Sequence, residues 1–150
     1  MSVVGLIAAL ALAASPFPDP WLGSEGLDVV QVSSGEAVTL SDHLIPGRFT
    51  IFDFGAAWCA PCHDAAHTLK GYLAVHPDVA VRAISLEGDP WDTAALPAAQ
   101  EHLPGRGRIP YFIVFDPSGQ RIYQGHRVNR ALRRVDRRRQ RANQASSLSK

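Results

Sequence analysis

Cys59 and Cys62 are the only cysteines in the 150 residues. Two thiols spaced Cys-x-x-Cys can close into a disulfide and reopen. The β-prone apolar run Thr50-Ile51-Phe52-Asp53-Phe54 delivers them to the point where helical spacing begins. A helix start carries unpaired N–H groups and about half a positive charge, which favours a thiolate on the first cysteine. Pro61 suits the first turn, which needs no N–H from it. The reading is thiol–disulfide exchange, with Cys59 attacking and Cys62 resolving. A structural bridge is the weaker account, because so short a loop adds little stability when closed. Asp53 sits in the middle of the apolar run. A carboxyl there is costly unless it is partnered or its pKa is raised. It reads either as a base taking the Cys62 proton or as a surface or locally tied aspartate.

Trp58-Cys59-Ala60-Pro61-Cys62 resembles the W-C-x-P-C active site of the thioredoxin superfamily. Asp53 falls where that family keeps a buried carboxylate. Ile109-Pro110, followed by Tyr111-Phe112-Ile113-Val114-Phe115, resembles its cis-proline segment. The likeness runs from about residue 36 to about 140. It implies a three-layer α/β fold, a mixed central sheet with helices on both faces, with Cys59 at the carboxyl end of a strand. It also implies a substrate surface made by Trp58, Pro61, Ile109 and Pro110, with the Pro110 peptide cis beside Cys59. Protein disulfides are then the substrates. No metal or organic cofactor is needed, only the Cys59–Cys62 disulfide and an upstream electron donor, for which a membrane-bound protein is one option. The family's lysine near the carboxylate is missing; Arg82 is the nearest candidate and cannot shed its proton. Ala60-Pro61 lacks the histidine that strongly oxidising relatives carry between the cysteines. Reductase is therefore favoured over oxidant.

These residues need positioning elements. Phe49–Gly55 reads as a central strand buried on both faces. From Ala60 to about Val75, the spacing of Ala66, Leu69, Tyr72 and Leu73 predicts a helix. Val79–Leu86 is the next strand. A helix capped at Asp92 or Thr93 is expected to run to about Leu103, ended or kinked early by Pro97. Trp91 is expected to pack inside. Tyr111–Phe115 and Arg121–Gln124 read as a hairpin around Pro117-Ser118-Gly119, and a last helix from about Val128 should bury Val128, Leu132 and Val135. Upstream, Val29–Val32 and Ala37–Leu40 flank Ser33-Ser34-Gly35-Glu36, suggesting another hairpin, and Ser41–Leu44 a helical turn. The approach Val38-Thr39-Leu40-Ser41-Asp42 to Gly47-Arg48-Phe49-Thr50-Ile51-Phe52-Asp53-Phe54 resembles the TlpA-like exported members of the superfamily.

The ends carry separate signals. Residues 1–20 read as a signal peptide or N-terminal anchor. Val3–Ala14 is apolar but shorter than the roughly 20 residues a membrane span needs, and Ala11-Leu12-Ala13 supplies small residues for cleavage. The domain is expected over 21–141, exported to a periplasmic or extracytoplasmic space, with a disordered tail over 142–150. Net charge of +1 gives no overall pull toward nucleic acid or membrane. Locally, ten of the 15 Lys/Arg residues lie from Arg121 onward, against one acid, Asp136. That reads as a solvated cationic face or a weak contact with an anionic surface; without interleaved aromatics it argues against nucleic acid.

Three other uses of the cysteines compete. Cys59-Ala60-Pro61-Cys62-His63 also spells the c-type haem attachment pattern, but Met1 is the single methionine and would leave with a signal. Zinc held by Cys59, Cys62, His63 and His67 would lack a second cysteine pair. A binding module without turnover would need neither thiol.

Overall fold

In a computed structural model of the chain, the structure describes residues 16–150. Five strands form one mixed sheet: β1 (Val29–Ser33), β2 (Phe49–Gly55), β3 (Val79–Ser85), β4 (Tyr111–Phe115) and β5 (Arg121–Gly125). Their spatial order is β1-β3-β2-β4-β5. β1, β3 and β2 run parallel, while β4 lies antiparallel to β2 and β5 antiparallel to β4. Helices α1 (Ala60–Val75) and α3 (Val128–Leu148) cover one face. The short helix α2 (Pro97–His102) covers the other. The three-layer α/β expectation holds.

The alternation of β2 explains why this strand is central. Ile51 points to the side of Leu69, Leu73 and Val135. Phe52 and Phe54 point to the side of Ala98, Ala99 and Leu103. All three are fully buried, each such side chain stabilising the fold by about 1.5–3 kcal/mol. Asp53 shares the face of Ile51, and so looks toward α1. Helix α1 buries Cys62, Ala65, Ala66, Leu69 and Leu73, four of them aliphatic or small side chains that set it close against β2.

Several expectations change. The upstream hairpin does not form: β1 pairs in parallel with β3, and 37–40 leaves the sheet. The Ser33 hydroxyl donates to the Glu36 carbonyl, and the Glu36 carboxylate receives the Ser34 N–H, so the side chains close a turn of their own. Ala98 N–H then donates to the Gly35 carbonyl, drawing the segment toward α2, where Val38 and Leu40 enter the core. The expected helical turn is there as a 3-10 turn, Leu40–His43. Pro97 opens α2 at its first turn instead of kinking a longer helix, and Thr93–Ala95 forms a separate 3-10 turn. Trp91 is 94% exposed rather than packed. Helix α3 continues to Leu148 through the expected tail, with the Ser146 and Ser147 hydroxyls bonding back to the Ala142 and Gln144 carbonyls. Residues 1–15 of the proposed signal segment lie outside the described residues. Among those described, no helix is long and apolar enough to cross a membrane.

Candidate functional site

Cys59 is the N-cap of α1, in extended conformation, and its Sγ accepts the Cys62 N–H at 3.3 Å. The Cys62 N–H also meets the Cys59 carbonyl at 3.0 Å, and the His63 N–H meets it at 3.3 Å. Cys59 and Cys62 are joined as a disulfide. With Pro61 in the first turn and no acidic residue there, the helix terminus presents an undiluted positive end to Cys59. Both cysteines are buried, Cys59 at 5% exposed and Cys62 at 1%.

The loop that carries Cys59 is anchored from below. Leu86 N–H donates to the Gly55 carbonyl at 2.7 Å, and Ala57 N–H donates to Glu87 Oε1 at 2.7 Å. Glu87 Oε1 also receives the Ser85 hydroxyl. The His63 ring is tied through Nε2 to the Ala57 carbonyl at 2.7 Å. Among the described residues no cluster of three or more His, Cys, Asp or Glu side chains could hold a metal ion.

The Ile109–Pro110 peptide is cis. Ile109 packs against the group formed by Ala56, Cys59 and Cys62, to which Trp58 also belongs. The Trp58 indole N–H is buried without a partner among the described residues. Pro61 and Pro110 line one groove. The structure thus brings Trp58, Cys59, Pro61, Cys62, Ile109 and Pro110 together. The approach to Ile109 is shaped by Gly107 at φ +67°, where a Cβ would stand 3.1 Å from the Ala94 backbone. His126 Nδ1 meets the Pro110 carbonyl at 2.8 Å and its ring stacks edge-on with Tyr111.

Asp53 is 3% exposed, and its Oδ1 has no hydrogen-bond partner among the described residues. Burial alone pushes its carboxyl up to about 7. It shares a small cavity of about 20 Å³ with Gly55, Ala56 and Cys62, room for about one water molecule. Asp19, Pro20 and Trp21 close the cavity's outer side. That segment is held by Lys70, whose Nζ donates to the Pro20 and Leu22 carbonyls. Arg82 does not serve Asp53: its guanidinium pairs with Asp28 at 2.8 Å. Sequence reasoning missed Glu87, His126 and the Lys70 tether. Each acts across a long stretch of chain, and no local pattern marks them.

No family model matches the chain, and no curated protein does. Solved structures do resemble it. Thioredoxin f from spinach chloroplast, short form, is 16% identical over 75% of this chain and 94% of that one, with a TM-score of 0.54. Reduced Schistosoma mansoni thioredoxin pre-protein is 15% identical over 73% and 97%, with a TM-score of 0.53. Chlamydomonas reinhardtii thioredoxin f2 is 13% identical over 73% and 95%, with a TM-score of 0.52. The likeness is one of fold: the chain folds like a thioredoxin.

Proposed function

We propose that this thioredoxin-like chain carries out dithiol–disulfide exchange on protein substrates, working as a reductase in an exported compartment. The observation that carries the reading is Cys59 at the cap of α1, with its disulfide to Cys62 set beside Ile109 and Pro110. The reduced form begins the cycle. The Cys59 thiolate attacks one sulfur of a substrate disulfide; a bond to Cys59 forms, the substrate S–S bond breaks, and the departing thiolate takes up a proton. Asp53 then accepts the proton of Cys62, whose thiolate attacks Cys59 Sγ. The Cys59–Cys62 bond forms as the mixed disulfide breaks, releasing the second substrate thiol. Two electrons pass to substrate, and a donor protein must return two to the Cys59–Cys62 disulfide. A carboxyl near pKa 7 is matched to that proton transfer at neutral pH. With Arg82 engaged by Asp28, Asp53 would act without a cationic neighbour.

Ala60-Pro61 between the cysteines supports the reductase direction, and the apolar segment Val3–Ala14 supports export. The sequence Val38-Thr39-Leu40-Ser41-Asp42 leading to Gly47-Arg48-Phe49-Thr50-Ile51-Phe52-Asp53-Phe54 supports the TlpA-like kind. No metal or organic cofactor enters the scheme. Two measurements test it. The Cys59–Cys62 reduction potential, read against glutathione, should be the more reducing; a value well above glutathione's reverses the direction. Replacing Cys62→Ser should accumulate substrates on Cys59 as mixed disulfides, and an empty trap would dismiss the exchange mechanism.

A further inference from the structure

Six arginines near the carboxyl end have no acidic partner among the described residues: Arg127, Arg130, Arg133, Arg134, Arg137 and Arg141. Their neighbours Arg138 and Arg139 are, in contrast, paired with Asp116, Asp78 and Asp136. All six unpaired arginines are exposed. From Arg130 onward they recur at helical steps, on the side of α3 away from buried Ala131, Leu132 and Val135. The stripe is about 16 Å long, at 1.5 Å per residue.

The stripe starts at the candidate site. A groove of about 540 Å³ is lined by Pro61 and Pro110 on one side and by Arg127, Arg130 and Arg133 on the other. A second depression shares Arg130 and Arg133 and passes Tyr123 to Arg134 and Arg137. A third shares Arg134 and Arg137 and passes Arg121 to Arg141. Together they make one furrow, which runs between α1 and the start of α3 near the site and between α3 and the edge strand β5 beyond it. Asp64, on the α1 side, is the one carboxylate lining it. Its charge turns an incoming acidic side chain toward α3.

We infer that this furrow docks an acidic segment of the polypeptide whose disulfide meets Cys59. The inference rests on the exchange reading above and names its substrate class. An extended chain rising about 3.3 Å per residue would lay about five residues along the stripe. Guanidinium forks match carboxylates in geometry as well as charge. A lipid surface fits less well: the furrow is concave, and the stripe from Arg130 to Arg141 carries no apolar side chain to enter a bilayer.

The test uses the full chain and synthetic peptides with one disulfide, flanked on either side by a run of Glu, Gln or Lys. At low ionic strength the Glu peptide should turn over about tenfold faster than the Gln peptide, and the Lys peptide slower than both. Raising salt to about 0.5 M should remove the difference. The variant combining Arg134→Gln, Arg137→Gln and Arg141→Gln should lose the preference and keep its rate on the Gln peptide. Anisotropy with a fluorescent Glu peptide lacking a disulfide should show binding that the variant loses. Equal rates on Glu and Gln peptides, or a preference that survives in the variant, would overturn the docking track. Binding to phosphatidylglycerol vesicles lost in the variant, without any peptide preference, would also overturn it in favour of a lipid surface. If no peptide turns over, the exchange reading falls, and the anisotropy result decides the docking track separately.

Discussion

Asp53 and Asp116 are each only 3% exposed, but Asp53 lies deep in the central strand and Asp116 in a turn near the surface, and they behave in opposite ways. Asp116 follows β4. Its Oδ1 accepts the Ser118 hydroxyl at 2.6 Å and the Ser118 and Gln120 N–H groups at 3.0 Å, and its Oδ2 faces Arg138. Burial pushes the Asp116 carboxyl up, but these partners outweigh it and hold the group below the usual range. Asp53 has burial and nothing to offset it. Depth of burial and the donors within reach together decide what a carboxyl does. One aspartate fastens a turn, and the other is buried with its Oδ1 unpartnered among the described residues.

The strongest way to break this contrast is Asp53→Asn. The folded protein holds a proton on Asp53 up to about pH 7, whereas the unfolded chain has released it above the ordinary value of 3.8. Stability conferred by that proton is fully present below about pH 4 and lost as pH rises to about 7. The variant should lose this slope and, at pH 8, exceed the parent by up to about 4 kcal/mol in denaturant unfolding, at 1.36 kcal/mol per pKa unit. Its Cys62 resolving step should slow and lose its pH dependence near 7, read by stopped-flow thiol kinetics. A parent whose stability is flat from pH 4 to 7 would count against an unpartnered Asp53.

Asp116→Ala should go the other way, losing about 2–4 kcal/mol at pH 7, because three donors and a guanidinium lose their acceptor. The sign with pH is reversed as well. A lowered folded pKa gives stability present above the ordinary value and lost as pH falls through the folded one, so the penalty should fade in acid. Arg138→Gln removes one partner from a part-exposed position and should cost about 0.5–1 kcal/mol, shrinking with salt. Ser118→Ala deletes a single hydroxyl bond and should cost about 0.5 kcal/mol. Neither of these two should move the exchange rate, and a change in rate would mean that the turn and the site are coupled.

The parts of this molecule legible in its sequence are those written locally. The apolar run of β2, the stripe of α1 and the β4–β5 hairpin signal each depend on neighbours a few residues apart, and each forms where expected. The cysteines, Asp53, Ile109 and Pro110 were legible because their order along the chain is itself a pattern. What was not legible depends on distant partners. The Ser33–Glu36 stretch has hairpin chemistry, but Ala98 draws its exit elsewhere. Trp91 looks like core by type, yet its loop has nothing to cover it. Glu87 beneath Ala57 and His126 on Pro110 are long-range bonds that no spacing announces.

The different placement of the two cysteines, Cys59 at the cap of α1 and Cys62 against the Asp53 cavity, has a consequence for traffic. If electrons both arrive and depart through Cys59, while Cys62 lines the cavity of Asp53, the protein has a single doorway. Donor and substrate must then queue for it, each inhibiting the other, and turnover should follow ping-pong kinetics.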